Sequence, residues 1–250
     1  MRLKNKVAIV TGSTKGIGRA IAFGYAAEGA NLVIVSRNQQ QCDETAAAIQ
    51  ETYGVEAIGI KTDVTRIDEI KALMAKTVER FGKMDILVNN AGSAITQKAE
   101  LITPEEWMHV LNLDLTAAFF CSQQAALVMM ANGGGRIINI ASMLGLVAMK
   151  NVAPYCAAKG GLIQLTRALA LEWAKHGITV NALCPGYVIT DINKDTFSDE
   201  KLLRSFEKRT AVNRLATADE MVEPAVFLAQ ENNQYMTGQA LVIDGGWTIQ

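Results

Sequence analysis

Seven short β-prone runs, separated by longer amphipathic stretches, constrain this chain more than any other feature. Val7 to Thr11, Asn31 to Ser36, Ala57 to Lys61, Ile86 to Asn89, Arg136 to Ala141, Thr179 to Cys184 and Ala240 to Ile243 read as strands. Strands alternating with helical stretches are the pattern of a parallel sheet covered by helices. The prediction is an α/β fold: a single doubly wound parallel seven-stranded sheet with helices on both faces, in one domain over residues 1–250. With half of its 250 residues apolar, the chain is long enough to bury one large core. No Pro-rich or Gly/Ser-rich linker interrupts it, and no repeat is visible. The largest irregular piece, residues 186–217, lies between a strand and a late helix, where substrate lids tend to sit.

Charge and cysteine usage narrow the class. A formal charge of -1 and no run of like charges leave no basic footprint for nucleic acid. Cys42, Cys121, Cys156 and Cys184 lack metal-ligand spacing, and neither His109 nor His176 pairs with them. No metal site is predicted; free thiols suit a reducing compartment. The start of the chain runs straight into a strand-like stretch without a signal-peptide pattern. The most apolar segment, Leu113 to Ala131, is interrupted by Asp114, Gln123 and Gln124, so it does not read as membrane-spanning. The expectation is a soluble cytoplasmic protein.

The first strand runs into Thr11-Gly12-Ser13-Thr14-Lys15-Gly16-Ile17-Gly18 and then into a helix. Glycines let backbone approach a pyrophosphate, and a helix N-terminus offers N–H groups and positive potential. The spacing G-x-x-x-G-x-G differs from the common G-x-G-x-x-G, although strand, turn and helix stand where a dinucleotide needs them. No Gly-Lys-Ser/Thr ending follows, which disfavours nucleotide hydrolysis. The second strand ends at Ser36-Arg37. A carboxylate there would accept the ribose hydroxyls of NAD; a small hydroxyl followed by a guanidinium fork suits the extra phosphate of NADP. Lys15 adds a second cation, and NADP(H) is the predicted cofactor. Asp63, followed by Val64, could accept from an adenine amino group. Asn89-Asn90-Ala91-Gly92 ends the fourth strand, and fits equally a ligand-facing edge with room for a flat ring or a turn that fixes its own backbone.

Tyr155 and Lys159 are four residues apart at the head of a helical stretch, so they share a face. A fixed ammonium beside a phenol favours the phenolate and makes the tyrosine a better proton carrier near neutrality. Alone, such a pair is also common as solvated neighbours.

Taken together, Thr11-Gly12-x-x-x-Gly16-x-Gly18, Asn89-Asn90-Ala91-Gly92, Ser142, Tyr155-x-x-x-Lys159 and Pro185-Gly186 resemble the short-chain dehydrogenase/reductase family, in its order and approximate spacing over essentially the whole chain. The resemblance implies a Rossmann fold and hydride transfer between NAD(P) and a secondary alcohol or ketone. Tyr155 would carry the proton, Ser142 would hold the substrate oxygen and Lys159 would hold the nicotinamide ribose. Asn112 matches the family's asparagine, which would position water linking Lys159 to solvent. No position used for catalysis departs from the family pattern on this reading. The backbone of Pro185, Gly186 and Val188 and the Thr190 hydroxyl would meet the nicotinamide side, although Thr190 also fits a helix cap. Residues 191–206 would form a mobile lid. The ending Ile243-Asp244-Gly245-Gly246-Trp247 resembles the family's closing strand and turn, near a subunit interface in relatives, and a homotetramer is expected.

The substrate, a small carbonyl or alcohol compound, would meet Ser93, Ala94, Ser142, Met143, Leu144, Met149, Tyr155 and Tyr187. No carboxylate-binding arginine stands out at these positions. Residues 170–175 with Pro185-Gly186-Tyr187 resemble loosely the gluconate 5-dehydrogenase branch, which implies a sugar acid or polyol. The alternative is a 3-oxoacyl-thioester reductase, which residues 136–140 and Thr237-Gly238-Gln239 also resemble; a bulky apolar ketone suits Met143, Leu146 and Met149 as well.

Overall fold

The computed structural model describes residues 1–190 and 196–249. Its main sheet comprises β1 (Val7–Thr11), β2 (Asn31–Ser36), β3 (Ala57–Lys61), β4 (Ile86–Asn89), β5 (Gly135–Ile140), β6 (Ile178–Pro185) and β9 (Ala240–Ile243). All pairings are parallel, in the order β3-β2-β1-β4-β5-β6-β9. The strands are apolar almost throughout because both faces are covered. On one face Ala8, Val10, Leu32 and Ile34 pack with Ile21 of α1 (Gly16–Ala27), Ile49 of α2 (Gln39–Tyr53) and Val226 of α8 (Val222–Ala229). On the other, Ile9, Val33 and Val35 pack with Leu73 of α3 (Ile67–Phe81), Cys121 of α5 (Ala117–Ala131) and Leu169 of α6 (Ala153–Trp173). Each fully buried Leu or Ile contributes ~1.5–3 kcal/mol to holding these layers.

Strand order reverses between β1 and β4, and ligands of such sheets bind at the carboxyl edge there. The glycine turn after β1 and the segment after β4 flank that crevice.

The helical run between β4 and β5 is interrupted. Thr103 and Glu106 form a capping box that starts α4 (Pro104–Leu111), with Pro104 in its first turn. A π turn, Asn112–Thr116, then joins α4 to α5. Such a turn admits an extra residue and rotates the helix face that follows, and π turns are frequent at functional sites. By length and composition residues 104–131 could cross a membrane, with a mean hydropathy of 1.3 in the most apolar window. In the fold, Ala117, Cys121, Ala125, Ala126 and Met129 pack into the core.

The 186–217 insertion contains two short strands that sequence reading missed: β7 (Val188–Ile189) pairs in parallel with β8 (Ala216–Thr217). Two residues are too few to carry a pattern. Between them lies α7 (Glu200–Glu207), capped by Asp199, whose carboxylate accepts from Lys201 N at 2.9 Å and Leu202 N at 3.2 Å. Part of the expected lid, residues 191–195, lies outside the described residues.

Candidate active site

The glycine turn is built around backbone that only small residues allow. Gly12 and Gly16 have φ of +65° and +56°. A Cβ on Gly18 would run into the Asn90 amide and stand 2.6 Å from Gly12 O. The first turn of α1 has no side-chain cap and no acidic residue, so its N–H groups are available to an anion. Thr14, Lys15 and Ile17 lie on this turn, with Lys15 exposed. Ser13 does not join them. It is fully buried, donating to Val10 O at 2.6 Å and accepting from Val35 N at 3.0 Å, so its hydroxyl locks β1 to β2 instead of meeting a cofactor.

The segment after β4 fixes its backbone against the glycine turn. Asn90 ties it to the glycine turn through Nδ2 to Thr11 O (2.9 Å) and Gly12 O (3.2 Å), while Thr11 Oγ1 accepts from the Asn90 and Ala91 N–H groups. Asn89 turns the other way. Its amide donates to Asn139 Oδ1 at 2.8 Å and Ser122 Oγ at 2.9 Å inside the core, so its side chain is removed from the cofactor edge. Asn139 in turn donates to Thr166 Oγ1 at 2.9 Å, a buried network tying β4, β5 and α6 together. Ala91 and Gly92 remain at the edge.

At the end of β2, Ser36 accepts from Asn38 N at 3.1 Å and Arg37 is exposed. Burial alone would raise the Asp63 carboxyl, but Thr65, which donates to it through N–H and hydroxyl, and the Arg37 and Arg66 cations outweigh this and hold it below its ordinary value. Arg37 therefore shares a neighbourhood with Asp63, while Val64 is buried in the core.

Ser142 follows β5 and caps the short turn Met143–Gly145, its Oγ accepting from Leu144 N at 3.1 Å. That turn packs on α6 so closely that a Cβ on Gly145 would stand 2.7 Å from Lys159 O. On the first two turns of α6, Lys159 Nζ lies 5.4 Å from the Tyr155 ring centre. Lys159 is buried, and its ammonium donates to Ile140 O at 2.9 Å.

The asparagine expected beside Lys159 is not there. Asn112 is exposed at the start of the π turn. Asp114, two residues on, stands 3.1 Å from Lys159 Nζ through Oδ1, its side chain wholly buried, and Oδ2 accepts from Ser93 N at 2.9 Å. Residues two apart on a helix point to nearly opposite sides, so only one of them faces the core. The cue was present: a lone carboxylate within an apolar run demands a buried partner.

The segment after β6 closes the crevice. Gly186 N donates to Ile243 O at 2.8 Å, and a Cβ on Gly16 would lie 3.6 Å from Thr190, which puts this segment over the glycine turn. Pro185 ends β6 and Val188 is buried. Around Tyr155 the wall is apolar: Met143, Leu144, Val152 and Trp247 form a cluster against which Met149, Tyr155, Tyr187 and Phe206 pack. The Tyr187 ring centre is 4.6 Å from Phe206 and 5.1 Å from Trp247, its hydroxyl donates to Met149 Sδ at 3.0 Å, and burial pushes it up to about 12. Exposed Arg209 stacks on Trp247 with its guanidinium 4.3 Å from the ring centre. Phe206 and Arg209 come from the 186–217 segment expected as a lid, whereas Trp247 was expected near a subunit interface and not as a wall of the site. Ala94 is exposed and Ser93 half-buried.

The crevice fits a nicotinamide dinucleotide. Beyond the uncapped α1 terminus, Ser93 Oγ is buried with no partner among the described residues, a spare polar atom on the residue whose N–H binds Asp114. Fold, glycine turn and the Tyr155–Lys159 pair together define an NAD(P)-dependent oxidoreductase of the Rossmann type. Residues 12–248 match a family model described as Enoyl-(Acyl carrier protein) reductase, and the chain belongs to the short-chain dehydrogenase/reductase family. It is 38% identical to the 2-dehydro-3-deoxy-D-gluconate 5-dehydrogenase of Escherichia coli, over 98% of this chain and 96% of that protein. A 3-oxoacyl-(acyl-carrier-protein) reductase of Staphylococcus aureus is 35% identical over 96% of this chain and 97% of its own. The crystal structure of a gluconate 5-dehydrogenase from Burkholderia cenocepacia, in complex with NADP and tartrate, superimposes with a TM-score of 0.96 at 35% identity, covering 100% of this chain and 97% of that one.

Proposed function

We propose that the protein interconverts a secondary alcohol and a ketone with NADP(H), and that its substrate is a sugar acid or polyol. The observation that carries the reaction is the buried Lys159 ammonium held 5.4 Å from the Tyr155 ring at the carboxyl edge of the sheet, where Ser142 follows β5. The dinucleotide, when bound, supplies or accepts the hydride. Gly12, Gly16 and Gly18 would hold its pyrophosphate, Lys15 and Arg37 its extra phosphate, and Asp63 its adenine. Gly92, Lys159 and residues 185–190 would hold the nicotinamide half. In reduction the Tyr155 hydroxyl gives its proton to the carbonyl oxygen, and the Ser142 hydroxyl donates to the same oxygen. Lys159 steadies the phenolate left behind. In oxidation each proton transfer reverses.

Arg209 supports the sugar-acid reading: its exposed guanidinium, stacked on Trp247, offers a fork to a carboxylate beside the Tyr187 wall. The apolar wall of Met143, Leu144 and Met149 favours the second reading, a 3-oxoacyl thioester. Exposed Trp107, Met108, Leu127 and Leu171 support assembly into a homotetramer, and three buried free thiols suit the cytoplasm. NADPH and NADH consumption against sugar keto acids, polyol-derived ketones and acetoacetyl thioesters tests these readings. Turnover fastest with a keto acid and lost in Arg209→Ala supports the sugar acid; fastest turnover of the thioester replaces it. Arg37→Asp weakens NADP binding far more than NAD binding; equal losses reject the phosphate pocket.

A further inference from the structure

We propose that Asp114 is the counter-ion of Lys159, a positioning residue whose carboxylate cancels part of the ammonium's field at Tyr155 and so sets the pH range of turnover. The inference rests on Tyr155 as the proton carrier. Where the family resemblance leads one to expect a neutral amide beside the lysine, this chain presents an acid. The two side chains are 0% and 5% exposed at 3.1 Å, so water screens neither. Ser93 N donates to Oδ2 at 2.9 Å, Oδ1 has no hydrogen-bond partner among the described residues and stands 3.1 Å from Lys159 Nζ as an ion pair, and a Cβ on Gly92 would stand 2.6 Å from Oδ1. Gly92 is thus the thin ceiling that leaves the acid room.

Among the described residues, these titratable groups act on the pair. From α6 come Tyr155 and Lys159; from β6 comes Cys184, whose thiol burial pushes up to about 11, leaving it neutral. From α4 comes His109, exposed, and β5 contributes the Ile140 carbonyl that accepts from Lys159. Asp114 is therefore the one carboxylate among the described groups that faces the ammonium. Burial alone would lower the lysine, yet Tyr155 and Asp114 outweigh it and hold the ammonium above its ordinary value. Burial raises Asp114 against the pull of Lys159.

The sign of the effect follows. An amide in place of the acid leaves Lys159 uncompensated, and a bare cation favours the phenolate more strongly. Oxidation needs the phenolate and reduction needs the phenol, so both pH limbs move to lower pH together. Removing one buried unit charge from beside the lysine corresponds to a shift on the order of one pH unit.

The test compares wild type, Asp114→Asn and the charge-conserving Asp114→Glu, measuring kcat/KM against pH in both directions with the best substrate. Ultraviolet titration of the phenolate in the cofactor-bound protein, taken as the difference from Tyr155→Phe, reports the same shift without turnover. Both limbs and the phenolate titration moving down by about one pH unit in Asp114→Asn, with Asp114→Glu close to wild type, supports the proposal. A profile that superimposes on wild type, or moves up, overturns it. If Asp114→Asn does not fold, Asp114→Ser decides in the same two ways, because it removes the charge and leaves a smaller polar side chain in its place. Retained turnover in Tyr155→Phe rejects the proton-carrier reading separately, whatever Asp114→Asn does.

Discussion

Two ion pairs of nearly the same length have opposite surroundings. Asp114 and Lys159 meet at 3.1 Å with side chains 0% and 5% exposed; Glu200 and Arg204 on α7 meet at 3.2 Å with side chains 82% and 72% exposed. On the surface, each charge would be nearly as well solvated alone, and the pair contributes ~0.3–0.5 kcal/mol. Inside, either charge without the other stands uncompensated at a cost of several kcal/mol, on the order of 3–5. The distance is shared; the cost of losing one partner is not.

The sharpest way to break the comparison is to delete one buried partner. Asp114→Ala leaves an unpaired buried ammonium and should cost about 3–5 kcal/mol in urea unfolding at neutral pH. Replacing both, Asp114→Leu with Lys159→Met, should recover most of that loss while the enzyme stays inactive, since the pair serves the site more than the fold. A loss below about 1 kcal/mol for Asp114→Ala would mean that the lysine sheds its proton instead of standing unpaired.

An intermediate case sharpens the contrast. Arg214 grips Glu220 with two bonds of 2.7 Å, and Glu220 also accepts from Thr217 N at 3.0 Å, tying β8 to the turn that precedes α8. The Arg214 bonds, with help from Thr217, lower the Glu220 carboxyl from 4.5 to about 2. A depressed carboxyl adds stability above its unfolded value and loses it as pH falls through the folded one. Thermal melts of the wild type should therefore decline between pH 4.5 and about 2 more steeply than those of Glu220→Gln. Parallel curves would show that the clasp opens in solution. The smallest effect belongs to Glu200→Gln, expected to change unfolding free energy by less than ~0.5 kcal/mol and to fade in salt.

Legibility in the sequence followed the same division between local and distant causes. The seven main strands were readable because strands buried on both faces are short apolar runs between turn signals. The glycine turn was readable because its backbone demands sit within seven consecutive residues. Asn89 was misread because its neighbour Asn90 faces the crevice while its own amide faces the core, a choice made by strand alternation and by Asn139, fifty residues away. Asn112 was misread for a related reason. Asn112 and Asp114 lie on opposite sides of a π turn, the acid being the one that reaches Lys159, and no local propensity marks where a helix will widen.

By itself, then, the sequence determined the sheet, the family, and the Tyr155–Lys159 pair, all set by short-range spacing and by periodic burial. Tertiary structure alone decided that a carboxylate partners the lysine and that Trp247 and Arg209 stand beside Tyr187. These are contacts between segments distant in the chain. Their selection depends on which side chains can be buried together with their charges compensated, and that is a property of the packed molecule.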